Sequence, residues 1–283
     1  MFLLDFRPSN ILLQTTGLDG LSEAEVLQAF GYEKPETVPI ISTHVSNKWV
    51  ARCVPRYLIK PVDFSRMNKA FLKDEIYLMD FGVSYTIPSP PQRLSLPRSY
   101  RAPEAILDGK IGIPCDLWAL ACTLFEIRTG SKLINASPPD DIDEYLARMV
   151  TLLGPFPEPW WTTIWKTRRE FFKDELDFQG RAIDANPWWV EMGLQMYSRT
   201  GELVPYQETR SIREELGRGA HVDFMEAVDT TDCCDRNSTL FKVRDIPPGE
   251  IEAFADLLEA ILQYEPDKRP GLREIEQHDW FNM

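Results

Sequence analysis

Positive charge is in short supply in this sequence. Lys and Arg number 31 against 44 Asp and Glu, and the formal net charge at neutral pH is −13. So acidic a balance argues against nucleic acid as the main ligand and suits a basic partner or substrate. Cysteine is sparse and scattered. The five residues Cys53, Cys115, Cys122, Cys233 and Cys234 form no C-x-x-C pair, a pattern of reduced thiols rather than of a disulfide or zinc framework. Such thiols suggest an intracellular setting, cytoplasmic or nuclear. No apolar run approaches the ~20 residues that span a bilayer, so no membrane partner is expected. The opening MFLLDFRPSN turns polar too early for a signal peptide. Internal repeats and low-complexity tracts are also lacking. What is present is ordinary globular composition, 43% hydrophobic and 27% charged, over 283 residues. That length suffices for one or two domains with a sizeable core.

Local signals mark the elements. Asn10–Thr15 (NILLQT) reads as a short strand after the polar turn DFRPSN. Ser22 and Glu25 form a capping box that starts a helix, and Gly31 stands where such a helix stops. Residues 33–68, with Pro35, Pro39, Pro55 and Pro61, read as irregular, and Ile76–Met79 as a second short strand. From Pro114 the sequence PCDLWALACTLFEIRTG predicts a helix with proline at its start and Gly130 past its end. Its apolar residues lie on nearly every side, so it belongs in the middle of a structure. Asp140–Leu153 predicts an amphipathic helix with acids in its first turn. Residues 155–249 carry clusters of Trp and Phe among charged stretches, where helix and loop are hard to tell apart. Glu250–Gln263 and Leu272–His278 read as the last helices, split by EPDKRP.

Three short patterns occur in order: Asp5-Phe6-Arg7-Pro8-Ser9-Asn10, Asp80-Phe81-Gly82 and Ala102-Pro103-Glu104. Each alone is commonplace; a lone Asp is more often a surface acid and a lone Asn a turn residue. Together they match the catalytic loop, the D-F-G carboxylate and the A-P-E close of the activation segment in protein kinases. The residue types suit that chemistry. A hard cation wants oxygen ligands, and an attacking hydroxyl needs an acceptor within reach.

Further residues carry the resemblance. YRAPEAIL at 100–107 is similar to the corresponding segment of the CMGC branch of protein kinases. Asp116-x-Trp118 resembles the family's central C-lobe helix, whose Asp bonds the catalytic-loop backbone. Asp267-Lys268-Arg269-Pro270 resembles the late motif whose Arg pairs with the A-P-E glutamate, here Glu104. HDWF at 278–281 resembles the usual end of the domain. The 70-position gap between Asn10 and Asp80, and MVTLLGPFPEPWW followed by WKTRREFF, resemble the SR-protein kinases and their fungal relatives.

The resemblance implies a mainly α fold, a kinase-like C-terminal lobe with short β-hairpin segments. It implies a partial kinase domain over 1–283, with a catalytic loop at 5–10, a spacer-like insert at about 16–75, an activation segment at 80–104 and a helical core with a CMGC-type insert at 105–281. Asp5 and Arg7 would be catalytic. Asn10 and Asp80 would hold Mg²⁺ and through it ATP. Gly82, Glu104, Asp116 and Arg269 would be structural. The reaction would be transfer of the ATP γ-phosphate to Ser or Thr of a protein, with an Arg/Ser-rich segment suiting the acidic charge. The alternative is a non-catalytic, kinase-like interaction module.

The sequence departs from the family in four respects. No glycine-rich loop or strand lysine precedes Asp5, so the N-terminal lobe is expected to be missing and these residues alone to be inactive. Leu3 and Leu4 stand where a fold-anchoring His is usual. Arg7 replaces the usual Lys, keeping its charge but not its shape. Pro97 stands where a Thr is usual beside the catalytic Asp.

Overall fold

In the computed structural model, residues 5–35, 37–39, 57–60, 66–85, 96–134, 141–185, 195–197, 203–205, 211–217 and 246–283 are described. The chain divides into two units, one made of 1–10 with 80–283 and the other of 11–79.

The 11–79 unit begins with β1 (Ile11–Thr15), followed by α1 (Glu23–Ala29). Ser22 caps this helix reciprocally: its Oγ accepts from the Glu25 N–H at 3.4 Å, and Glu25 Oε2 accepts from the Ser22 N–H at 2.8 Å. The bonds from Ser22 hold the exposed Glu25 carboxyl below the usual carboxylate range. Gly31, with φ +73°, lets the chain reverse after the helix, and a Cβ there would stand 3.4 Å from the Arg66 carbonyl. β2 (Thr37–Pro39) pairs antiparallel with β3 (Tyr57–Ile59), in register Thr37↔Ile59. This corrects the expectation that 33–68 is irregular throughout. Strands of three residues are too short to show alternation, and Pro39, which cannot donate to a ladder, sits at a strand end. β4 (Leu72–Leu78) starts earlier than its sequence signal and pairs antiparallel with β1, in register Ile11↔Leu78, Leu12↔Tyr77 and Leu13↔Ile76.

The other unit holds the main core. α2 (Pro103–Leu107) carries proline in its first turn, where the missing N–H is no loss. α3 (Ile113–Thr129) is closed by Gly130 at φ +82°. It is the buried axis: Trp118, Ala121 and Phe125 are inaccessible or nearly so. Its burial is not complete, however. Ile113 and Ile127 remain about half exposed, so the apolar character on every side exceeds what the described residues cover. α4 (Ile142–Leu153) is capped by Asp141, whose Oδ1 accepts from the N–H groups of Asp143 and Glu144.

The aromatic region resolves into a wide helical turn at Trp160–Ile164, a 3₁₀ turn at Lys166–Glu170 and the hairpin β5 (Phe172–Leu176) with β6 (Ala182–Asp184). Its rings pack on one another, with Phe156 edge-on to both Trp160 and Trp165. The indole N–H groups of Trp160 and Trp165 donate to Asp108 and Asp143, so the buried polar edges are satisfied. β7 (Gln195–Tyr197) pairs with β8 (Leu203–Pro205). α5 (Ile212–Gly217) lies against α6 (Pro248–Ile261), where Arg213 is held by Glu252, Asp256 and Glu259. α7 (Leu272–Glu276) and a final turn at Asp279–Asn282 follow, with Trp280 stacked on Phe254 at 4.4 Å. Among the described residues, no helix is long and apolar enough to cross a membrane. The result is mainly α with short two-stranded sheets, as the sequence predicts.

Candidate active site

Asp5 opens a loop that turns through Pro8–Asn10 before β1. Asn10 is buried and binds the loop to itself. Its Nδ2 donates to the Asp5 carbonyl at 2.9 Å, and its backbone N–H donates to the Arg7 carbonyl at 3.0 Å. With Nδ2 engaged, Oδ1 is the atom of Asn10 suited to a hard cation. Arg7 is ion-paired with the Asp5 carboxylate: Nη2 donates to Oδ2 at 3.2 Å, and Nε stands 2.9 Å from Oδ1 without hydrogen-bonding geometry. Arg7 thus places its positive charge beside Asp5.

Asp80 is separated from Asn10 by the whole 11–79 segment, yet both belong to one unit. Ile11, which follows Asn10 in the chain, pairs with Leu78, two positions before Asp80. Asp80 has φ 63° and ψ 61°, the left-handed region, alone in this among the described non-glycine residues. It is exposed and leads into a tight turn at Phe81–Val83. A Cβ on Gly82 would stand 3.4 Å from Asp80 Oδ1, so glycine leaves the carboxylate its room.

The 80–104 segment is tied down at its far end. Glu104, in the first turn of α2, accepts from Arg269 Nη1 at 2.7 Å and Nη2 at 2.8 Å. Arg269 also donates to the carbonyls of Gln263 and Pro114 and lies over the Trp118 ring at 5.1 Å. Cys115 Sγ approaches Glu104 at 3.4 Å, and burial, followed by the nearby Glu104 charge, pushes that thiol up to about 12. Tyr100 donates to Glu126, and burial raises its phenol further from ionisation. Pro97 begins the turn Arg98–Tyr100, and Arg101 Nε donates to the Leu96 carbonyl at 2.6 Å.

Asp116 lies partly buried in the first turn of α3. Burial, and after it the charge of Asp116, raises the phenol of Tyr85 in the activation segment. Thr123 Oγ1, further along α3, donates to the Phe6 carbonyl at 3.2 Å and so joins the helix to the 5–10 loop. Sequence reasoning missed Thr123 because a hydroxyl inside an apolar helix reads as core filler. Leu3, Leu4, Cys53, Cys233 and Cys234 lie outside the described residues.

Comparison with known proteins fits this geometry. A family model described as protein kinase domain matches residues 65–281. The match takes in Asp80–Gly82, Ala102–Glu104 and Arg269 and begins after Asp5–Asn10. The chain is similar to dual specificity protein kinase CLK1 of Homo sapiens, 29% identical over 220 residues, 77% of this chain and 35% of that protein. It is similar to serine/threonine-protein kinase AFC3 of Arabidopsis thaliana, 25% identical over 258 residues, 88% of this chain and 50% of that protein. It is also similar to dual specificity protein kinase KNS1 of Saccharomyces cerevisiae, 23% identical over 294 residues, 88% of this chain and 38% of that protein. The chain thus spans between about a third and a half of the length of these curated relatives.

Proposed function

We propose, from the premise that this chain belongs to the protein kinase family, that it serves transfer of the ATP γ-phosphoryl group to serine or threonine hydroxyls of a protein. The observation that carries this reading is the Asn10 bond to the Asp5 carbonyl, which makes the base and an oxygen ligand parts of one rigid turn. Phosphoryl transfer gains most from positioning and electrostatics, so a turn that fixes both groups is what the chemistry asks of a protein. Asp5 would orient the substrate hydroxyl and accept its proton. Asn10 Oδ1 and the exposed Asp80 carboxylate would hold Mg²⁺, a donor set of the oxygen type that ion prefers. The ion would neutralise charge on the ATP phosphates. Arg7 would bring positive charge to the transferred group.

The substrate class rests on charge. A net charge of −13 favours a basic peptide, and an Arg/Ser-rich segment of the SR-protein-kinase type fits. Gripping ATP takes more than Asp5, Arg7, Asn10 and Asp80, so we expect the 283 residues by themselves to show no measurable turnover. A second reading, a non-catalytic interaction module, draws on Arg7, which is ion-paired with the carboxylate of the would-be base.

The test is labelled ATP with an Arg/Ser-rich peptide, assayed on the 283 residues alone and on the same residues complemented by a glycine-rich, phosphate-binding lobe. Turnover in the complemented protein, abolished by Asp80→Ala, is the expected result. Silence from both would favour the interaction module.

A further inference from the structure

Three consecutive carbonyls of the catalytic loop are each bonded. Those of Asp5 and Arg7 accept from Asn10, inside the loop. The one between them, on Phe6, accepts from Thr123, 117 positions away on α3. Thr123 is fully buried. A threonine inside a helix commonly turns its hydroxyl back to the carbonyl four residues earlier. Thr129 of the same helix does so, donating to Phe125 at 2.8 Å. Thr123 instead directs its hydroxyl to the loop. One turn further along, Glu126 accepts from Tyr100, so two neighbouring polar groups of α3 hold the loop and the end of the activation segment.

We propose that Thr123 is a positioning residue, through whose hydroxyl the central helix sets the orientation of the Asp5–Arg7 backbone; the catalytic consequence rests on the phosphoryl-transfer reading above. The Phe6 carbonyl belongs to the peptide plane between Phe6 and Arg7. Without its donor that plane can rotate, and Asp5 on one side and Arg7 on the other lose their shared orientation. A partly buried carbonyl left unpaired also favours such a rotation, because the group will seek another donor.

Two variants separate the hydroxyl from the bulk. Thr123→Val keeps the shape and removes the donor; Thr123→Ser keeps the donor and removes a methyl group. Hydrogen exchange of the backbone amides at residues 5–10 reads the tie without any need for turnover. Steady-state kinetics of the lobe-complemented protein, with Arg/Ser-rich peptide and ATP, reads its consequence. Thr123→Val should lose protection at 5–10 and lower kcat by about ten- to a hundredfold, the range for a misplaced reacting group. Both KM values should stay within about twofold, as for an interaction that matters in the transition state alone. Thr123→Ser should restore protection and kcat. Unchanged protection in Thr123→Val, unchanged kcat despite lost protection, or equal damage from Ser and Val would each overturn the proposal. If the unsubstituted protein turns over nothing while Thr123→Val still loosens the loop and Thr123→Ser does not, the tie stands and the phosphoryl-transfer reading falls.

Discussion

Arg269 closes both terminal nitrogens of its guanidinium on the two carboxylate oxygens of Glu104, across 165 residues of sequence. Both side chains are removed from water almost completely. Burying two charges is costly, and the pair is sustained by the further bonds from Arg269 to the Gln263 and Pro114 carbonyls. The pair links the end of the 80–104 segment to the chain just before α7.

Arg269→Ala should therefore cost about 3–5 kcal/mol, because Glu104 is left charged, buried and unpaired. Arg269→Lys should recover little of this, since a lysine ammonium cannot span both oxygens and the two carbonyls. Urea unfolding followed by tryptophan fluorescence measures both. Unchanged midpoints would refute the structural role.

Asp80 holds a backbone conformation that a side chain pays for. Asp80→Gly should leave stability unchanged or raise it by up to about 1 kcal/mol, since relief of left-handed strain is offset by the greater freedom of glycine in the unfolded chain. The same substitution should abolish any phosphoryl transfer, because it removes the carboxylate. A clear loss of stability in thermal unfolding would mean that the Asp80 side chain has a structural partner of its own.

Glu250 accepts from Arg128 at 2.5 and 2.7 Å, and those bonds hold its carboxyl below the usual range. The folded pKa lies below the unfolded one, so the ion pair's contribution is present above the unfolded value and is lost as pH falls through the folded value. Glu250→Gln should cost roughly 1 kcal/mol at neutral pH, the upper end for partly exposed pairs. The gap between the two proteins should narrow on acidification below about pH 4. Denaturation at several pH values checks this; a gap that widens in acid would contradict it.

Cys115 and Cys122 are buried, and burial pushes both thiols up to about 12. The reactive thiolate is therefore scarce at neutral pH. Iodoacetamide should leave both unmodified in the folded protein and label both in urea, as read by peptide mass spectrometry. Rapid native labelling of either would place it at an accessible surface.

Elements governed by neighbouring residues were legible in the sequence. The capping box at Ser22 and Glu25, the proline start and glycine stop of α3, and the acid-rich start of α4 all act within one or two turns of the backbone. Their boundaries in the structure differ from the sequence reading by a few residues at most. For the candidate site the sequence supplies an inventory: Asp5, Arg7, Asn10, Asp80, Glu104 and Arg269 are named by motif and order. The three-residue strands were not legible, because each exists only through its partner, and Thr37–Pro39 carries no signal that Tyr57–Ile59 will lie beside it.

By itself, then, the sequence determined which chemical groups the protein carries, in what order, and where its longer helices run, since those depend on residue type and on contacts within a turn. The tertiary structure decided which of those groups act together. Strand β1 pairs with β4; Arg269 chooses Glu104; and Thr123 turns its hydroxyl to Phe6 rather than to its own helix. Each is a bond between distant positions, whose energy depends on a donor and an acceptor meeting at about 3 Å in a dry interior. That meeting exists only once the chain has folded around α3.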